Sequence, residues 1–240
     1  MADYLKKSNP PVEVIDTDTG ATVQRMLAEI EVGGEEVVRR YARDLDGWQG
    51  DIVLSEDTLN KAANSLSDGV KQDIRYARDR VCDFAKMQRE SLHEFRSELR
   101  PGLIAGQKLI PVQTAGCYVP GGRYAHAASA VMSVGTAKIA GVQNVIATSP
   151  AHKDVGVNPA ILYAMQLCGA DKVLALGGVQ AVASLAYGLF TGNHADVIVG
   201  PGNRFVAEAK RTLPSAQGGL DVLENVSALC PNCHRKAHYG

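Results

Sequence analysis

Apolar residues recur at helical spacing up to about Arg100. Val23, Met26, Leu27 and Ile30 lie three or four positions apart, and Gly33-Gly34 interrupt the run. A second helix is expected from about Glu35, carrying Val37, Val38 and Tyr41 and stopping around Asp46-Gly47. Ser55-Glu56-Asp57 has the form of an N-cap followed by first-turn acids, which complement the positive end of a helix dipole. Beyond it, Leu59, Ala62, Ala63, Leu66, Val70, Ile74, Ala77, Val81, Phe84 and Ala85 predict the apolar face of one long helix. Asp, Arg, Lys and Gln lie opposite, and Pro101-Gly102 ends it.

From Gly102 to Leu213 the charges thin out and the periodicity changes. Gln107–Gln113 and Gly116–Val119 read as short strands, then Ala127–Ala140 as an alanine-rich helix. Asn144–Thr148, Lys172–Leu176 and Asp196–Val199 read as strands, alternating with helices at Pro159–Cys168, Val179–Tyr187 and Arg204–Leu213. Short, continuously apolar strands alternating with helices predict a parallel sheet with crossover helices. Ligands of such sheets sit at the carboxyl ends of the strands. The loops there are Pro120-Gly121-Gly122, Ser149-Pro150, Gly177-Gly178 and Gly200-Pro201-Gly202-Asn203. The expected fold class is therefore α/β: a helical N-terminal region (1–101), a Rossmann-like parallel-sheet domain (102–213) and a short Cys/His-containing tail (214–240).

Composition narrows the function classes. The chain has 240 residues, 45% hydrophobic and 21% charged, with formal net charge -1, so it has enough apolar surface for a globular fold. The balanced charge argues against a nucleic-acid binder. Met1–Pro11 is polar, with no apolar run behind Lys6 and Lys7, and Ala127–Val142 is interrupted by polar residues and glycines. Neither an export signal nor a membrane span is expected. Five cysteines without a signal segment point to free thiols in a cytoplasmic protein, with Cys82, Cys117 and Cys168 as small core residues.

The glycine loops suit a phosphate or dinucleotide, because backbone amides and helix N-termini meet at a strand end. They equally suit plain tight turns, since no G-x-G-x-x-G follows any strand. The residues in and around them carry more. Ala115-Gly116-Cys117-Tyr118-Val119-Pro120-Gly121-Gly122, Thr136-Ala137-Lys138-Ile139-Ala140-Gly141-Val142, Leu176-Gly177-Gly178-Val179-Gln180-Ala181-Val182-Ala183 and Val199-Gly200-Pro201-Gly202-Asn203 follow one another in that order. Together they closely resemble the first half of the histidinol dehydrogenase family, over roughly the first 213 residues. Arg123-Tyr124-Ala125-His126 is more similar to the branch acting on sulfonated diols.

The resemblance implies an NAD-dependent oxidoreductase, oxidising a primary alcohol to a carboxylate through an aldehyde with a bound zinc. It implies that Tyr118, Gln180 and Asn203 contact NAD. A tyrosine ring can lie against adenine or ribose, and an amide can donate to and accept from ribose hydroxyls. The alternative for each is a local turn or cap, and Asn203 is a good N-cap for a helix starting at Arg204. The family's zinc ligands and catalytic Glu-His pair follow the segment ending near Leu213. The resemblance thus implies a cofactor-binding half without its catalytic residues, a small-molecule alcohol as substrate, and surface left open to self-association into a homo-oligomer. His93, His126, His152 and His194 show no metal-ligand spacing.

In the tail, Cys230-x-x-Cys233 with His234 and His238 gathers candidate zinc ligands, thiolate and imidazole in potential tetrahedral geometry. Covalent haem attachment needs export, and a redox Cys pair needs a thioredoxin-like context; neither is in view. Gly218–Gly240 resembles the end of an HNH endonuclease. In that family Asn225 would brace the metal finger, His234 would help bind the catalytic metal, and the Cys pair would share a zinc with an earlier pair. The motif's first histidine and the earlier Cys pair are missing. Arg235 and Lys236, set beside Asp221 and Glu224, are too few cations for strong phosphate binding. The rival readings are an HNH-type nucleic-acid module on a dehydrogenase-like body, and a non-functional fusion remnant.

Overall fold

The computed structural model describes residues 17–121 and 125–213. A long helix, α1 (Thr17–Asp46), opens the fold. It is two helices joined across a kink, as the Gly33-Gly34 break led one to expect, because Gly34 takes the non-helical φ 57 and ψ -141. α2 (Glu56–Ser65) begins at Ser55, whose side chain accepts from the Thr58 N–H at 3.2 Å. α3 (Asp68–Glu90) begins at Ser67, which caps Val70 N–H in the same way. The single long helix expected from Ser55 is thus two, since Ser67-Asp68 repeats the cap-and-acid signal of Ser55-Glu56.

The helical reading also overshoots at its far end. α3 stops at Glu90, and β1 (Phe95–Arg100) pairs antiparallel with β2 (Leu103–Gln107). Pro101-Gly102 is the turn of this hairpin rather than a helix stop; Gly102 takes φ 80, and its N–H donates to Glu98 Oε1 at 2.7 Å. The strand expected over Gln107–Gln113 lies earlier, at β2. Pro111 offers no N–H to a ladder, and the Leu109 N–H is taken by Glu94 Oε1.

The remaining elements alternate as expected. They are β3 (Thr114–Tyr118), α4 (Ala127–Ala130), a π-helical turn (Val131–Gly135), α5 (Thr136–Ile139), β4 (Asn144–Thr148), α6 (Pro159–Leu167), β5 (Lys172–Leu174), α7 (Gly178–Tyr187), β6 (Val197–Val199) and α8 (Arg204–Thr212). The four later strands form a parallel sheet in the order β5-β4-β3-β6. Strand residues alternate strictly between its two faces. Tyr118, Ile146, Leu174 and Ile198 join α1, α7 and α8 in one core. Ala115, Cys117, Val145, Ala147 and Val173 join α2, α3, α4 and α6 in the other. Residues 52–54 add an antiparallel edge to β5, with the Leu54 N–H donating to the Val173 carbonyl and the Ala175 N–H to the Ile52 carbonyl.

Two carboxylates fasten the amino ends of the strands. Asp196 Oδ2 accepts from the Gln113 and Thr114 N–H groups at 2.9 and 2.8 Å, joining the start of β6 to that of β3. Asp171 Oδ2 accepts from the Val145 N–H at 2.7 Å and from Lys138 Nζ at 2.5 Å. Because Asp196 is itself exposed, Asp196→Ala is expected to lower unfolding free energy by about 1–2 kcal/mol. Urea denaturation checks this, and ligand affinity should not change because the residue stands at the far end of the strands.

Candidate cofactor site

The chain runs β3, β4, β5 outward and then returns across β3 to β6, so the order reverses between β3 and β6. Loops leave neighbouring strands in opposite directions at such a point and open a crevice at the carboxyl end. Two glycines allow the loops to close together there. Gly200, after β6, takes φ 116, and a Cβ on it would sit 1.9 Å from the Tyr118 carbonyl oxygen. Gly178 opens α7 with φ 62, and its N–H donates to the Tyr118 hydroxyl at 3.3 Å.

Tyr118 is 4% exposed, with its ring in the core shared with α7. The hydroxyl, rather than the ring face, is therefore the part held at the strand end. Burial pushes its pKa up, the Gly178 N–H pulls it down, and the nearby Asp46 raises it further.

Gln180, in the first turn of α7, is 1% exposed. Its Nε2 donates to Asp46 Oδ2 at 3.0 Å, while its Oε1 is buried without a hydrogen-bond partner. Ser149, at the end of β4, is fully buried and its hydroxyl is likewise unpartnered, close to Gly121. Buried polar groups are nearly always satisfied, so two unpartnered oxygens at the carboxyl edge of one sheet make this edge the candidate site.

Asn203 is exposed and caps α8, its Oδ1 accepting from the Val206 N–H at 3.1 Å. The capping role left open by the sequence is thus real. Lys210, in the last turn of α8, reaches back to the Gly200 carbonyl and steadies the loop between them.

Asp46, unlike Gln180, carried no signal in the sequence beyond a helix stop. It is the last residue of α1, where a carboxylate opposes the helix dipole. Burial raises its pKa; the hydrogen bond from Gln180 and the charge of His152 draw it partly back. The folded state therefore holds this proton more tightly than the unfolded chain. As the pH rises from the ordinary aspartate range through the raised value, the group subtracts from stability. An acid placed this way costs stability, which is common where side chains serve a ligand.

The family follows from the sequence as a whole: the profile described as histidinol dehydrogenase matches residues 12–237. The chain belongs to the histidinol dehydrogenase family. It is 57% identical over 196 residues to a histidinol dehydrogenase homolog of Ruegeria pomeroyi, covering 82% of this chain and 45% of that protein. It is 48% identical over 221 residues to a sulfopropanediol 3-dehydrogenase of the same organism, covering 92% and 51%. The crystal structure of histidinol dehydrogenase from Elizabethkingia anophelis superposes with a TM-score of 0.76 at 28% identity, covering 84% of this chain and 46% of that one. The helical N-terminal region and parallel sheet are therefore the family's fold. The chain spans about half the length of these relatives.

The structure brings Tyr118 and Gln180 to one end of α7 and sets Asn203 on the same edge of the sheet, after β6. Cys230, Cys233, His234 and His238 lie outside the described residues. Among the described residues, no group of three or more His, Cys, Asp or Glu side chains is placed to hold a metal ion. No helix there is long and apolar enough to cross a membrane.

Proposed function

We propose that this chain carries the NAD-binding half of a dehydrogenase that oxidises a primary alcohol to a carboxylate through an aldehyde. The observation that carries the reading is the buried, unpartnered Oε1 of Gln180 at the strand ends. NAD held by Gln180 and Asn203 would supply the hydride acceptor, one NAD for each of the two oxidations from alcohol to aldehyde to carboxylate. Gln180 offers an acceptor and Asn203 a donor, the pair that hydroxyls of a ribose can satisfy from both sides. Tyr118 keeps its hydroxyl on Gly178 and so fixes the first turn of α7 against β3. The 48% identity to the sulfopropanediol enzyme supports a sulfonated diol as the alcohol.

We place the acid/base pair and the zinc ligands of the reaction outside residues 17–213, and the cofactor site within residues 102–213, braced by the helical region. Free thiols at Cys82, Cys117 and Cys168 support a reducing, cytoplasmic setting. Self-association is supported by the apolar residues left open along α3 and the hairpin, among them Phe84, Met87, Phe95 and Leu99. Sedimentation at micromolar concentration is expected to show a species heavier than the 25.5 kDa chain.

Isothermal titration of NAD into the purified chain is the direct test. Saturable binding is expected, with little or no alcohol-dependent NADH formation. Robust turnover would overturn the division of labour between the two halves. Absence of binding at millimolar NAD would overturn the cofactor reading.

A further inference from the structure

We infer that Asp46 is a positioning residue that fixes which end of the Gln180 amide faces the ligand, and so makes this part of the site an acceptor. The inference rests on the cofactor reading for the identity of the ligand, but its geometry stands apart from it.

A glutamine amide has a donor end and an acceptor end of nearly equal shape, and packing alone does not choose between them. A carboxylate chooses, because in its ionised form it accepts only. Asp46 Oδ2 lies 3.0 Å from Gln180 Nε2, so the NH2 group is committed to it and Oε1 is left facing away, buried and unpartnered. A ligand entering here has to bring a hydroxyl or an N–H. The two residues lie 134 positions apart in the chain, at the end of α1 and the start of α7. Asp46 is held by the helix end itself: Gly47 turns the chain with φ 66, and the Gly47 and Trp48 N–H groups donate to the Arg43 and Ala42 carbonyls.

Protonation would reverse the choice. A carboxylic acid can donate its O–H to Oε1, which lets the amide rotate and present NH2 to the ligand instead. Burial already holds Asp46 above the ordinary aspartate range. The groups facing it are few. His152 comes from the loop after β4 and favours the ionised form. The Tyr118 hydroxyl comes from β3 and Gln180 from α7. Lys153 lays its stem against Gly47, and on α1 itself Arg43 is paired with Asp44. NAD affinity should therefore fall as the pH drops through the raised pKa of Asp46.

Three proteins carry the test: wild type, Asp46→Asn and Asp46→Ala. Asparagine retains an acceptor oxygen but cannot titrate; alanine retains neither. NAD affinity by calorimetry from pH 4.5 to 8 is expected to fall roughly tenfold in the alanine variant at neutral pH. The asparagine variant should stay within about threefold of wild type and lose the acid limb of the pH profile. Wild-type affinity in the alanine variant, or an unchanged acid limb in the asparagine variant, would overturn the inference. A second readout needs no ligand. The Gln180 side-chain NH2 signals, identified by their loss in Gln180→Met, should move with pH in wild type and stand still in Asp46→Asn. Should NAD fail to bind at all, the cofactor reading falls while these signals still decide the Asp46 role. Signals that ignore pH in wild type would overturn it.

Discussion

Replacing Gln180 by methionine is expected to weaken NAD binding by roughly tenfold to a hundredfold, with the fold intact. Methionine matches the length of glutamine and suits a site that is 1% exposed, so the core around α7 has no volume to lose. What disappears is the acceptor Oε1, together with the Nε2 donor that Asp46 holds. A ligand hydroxyl left facing a thioether keeps the cost of its own dehydration, about 1–3 kcal/mol, and every 1.4 kcal/mol is tenfold in affinity. A second variant separates loss of the acceptor from loss of shape. Gln180→Glu keeps two oxygens but sets them against Asp46, at the 3.0 Å that now separates Nε2 from Oδ2. Two carboxylates so close cannot both ionise, so they share a proton and one is pushed far up. Binding to this variant should be poor in base and recover as the pH falls, the reverse of the wild-type trend. Calorimetry across pH reads both results, and equal affinity in all three proteins would remove Gln180 from the site.

The largest effect on stability is expected from Gly200→Ala. At φ 116 an L side chain is strained wherever it finds space, and here it finds none: the new Cβ would lie 1.9 Å from the Tyr118 carbonyl oxygen. That oxygen belongs to a strand backbone and cannot swing aside. Backbone strain of about 1–3 kcal/mol and forced displacement of about 1–3 kcal/mol act together, so a loss of roughly 2–6 kcal/mol is expected in urea denaturation. Gly192→Ala is the control, because Gly192 also has a positive φ, 71, yet no atom stands within 4 Å of its Cβ position. It should show the strain without the displacement. Losses of equal size in the two variants would mean that contact with Tyr118 contributes nothing.

The sheet was legible because burial on both faces writes itself into composition. Val145, Ile146 and Ala147 are apolar in succession, and each residue faces a different helix layer from its neighbour. The hairpin was not, because Pro-Gly punctuates helices and hairpins alike. In Phe95–Arg100 the alternation of Phe95, Ser97 and Leu99 with Arg96, Glu98 and Arg100 is the signal that distinguishes them. The site divides the same way. Tyr118, Gln180 and Asn203 were singled out by the resemblance their motifs carry, and the capping bond of Asn203 by its position before α8. Asp46 and Ser149 were not, since neither stands in a motif with its partner. Asp46 meets Gln180 across 134 positions, and Ser149 is distinguished only by being buried with nothing to bond. Neither property exists until the chain has folded.

Asp171 and Asp196 close the amino ends of the strands, while the orphaned oxygens of Ser149 and Gln180 stand at the carboxyl ends. Along one short axis the sheet thus keeps its mechanical fastening apart from its chemical opening. Substitutions drawn at random from the two ends should sort into two populations, one shifting the denaturation midpoint and the other the ligand isotherm, with few that move both. Gly200 is the exception, because its backbone closes on Tyr118 at the very edge proposed for the ligand. A protein divided in this manner can exchange one ligand for another at the open edge without renegotiating how its strands hold together.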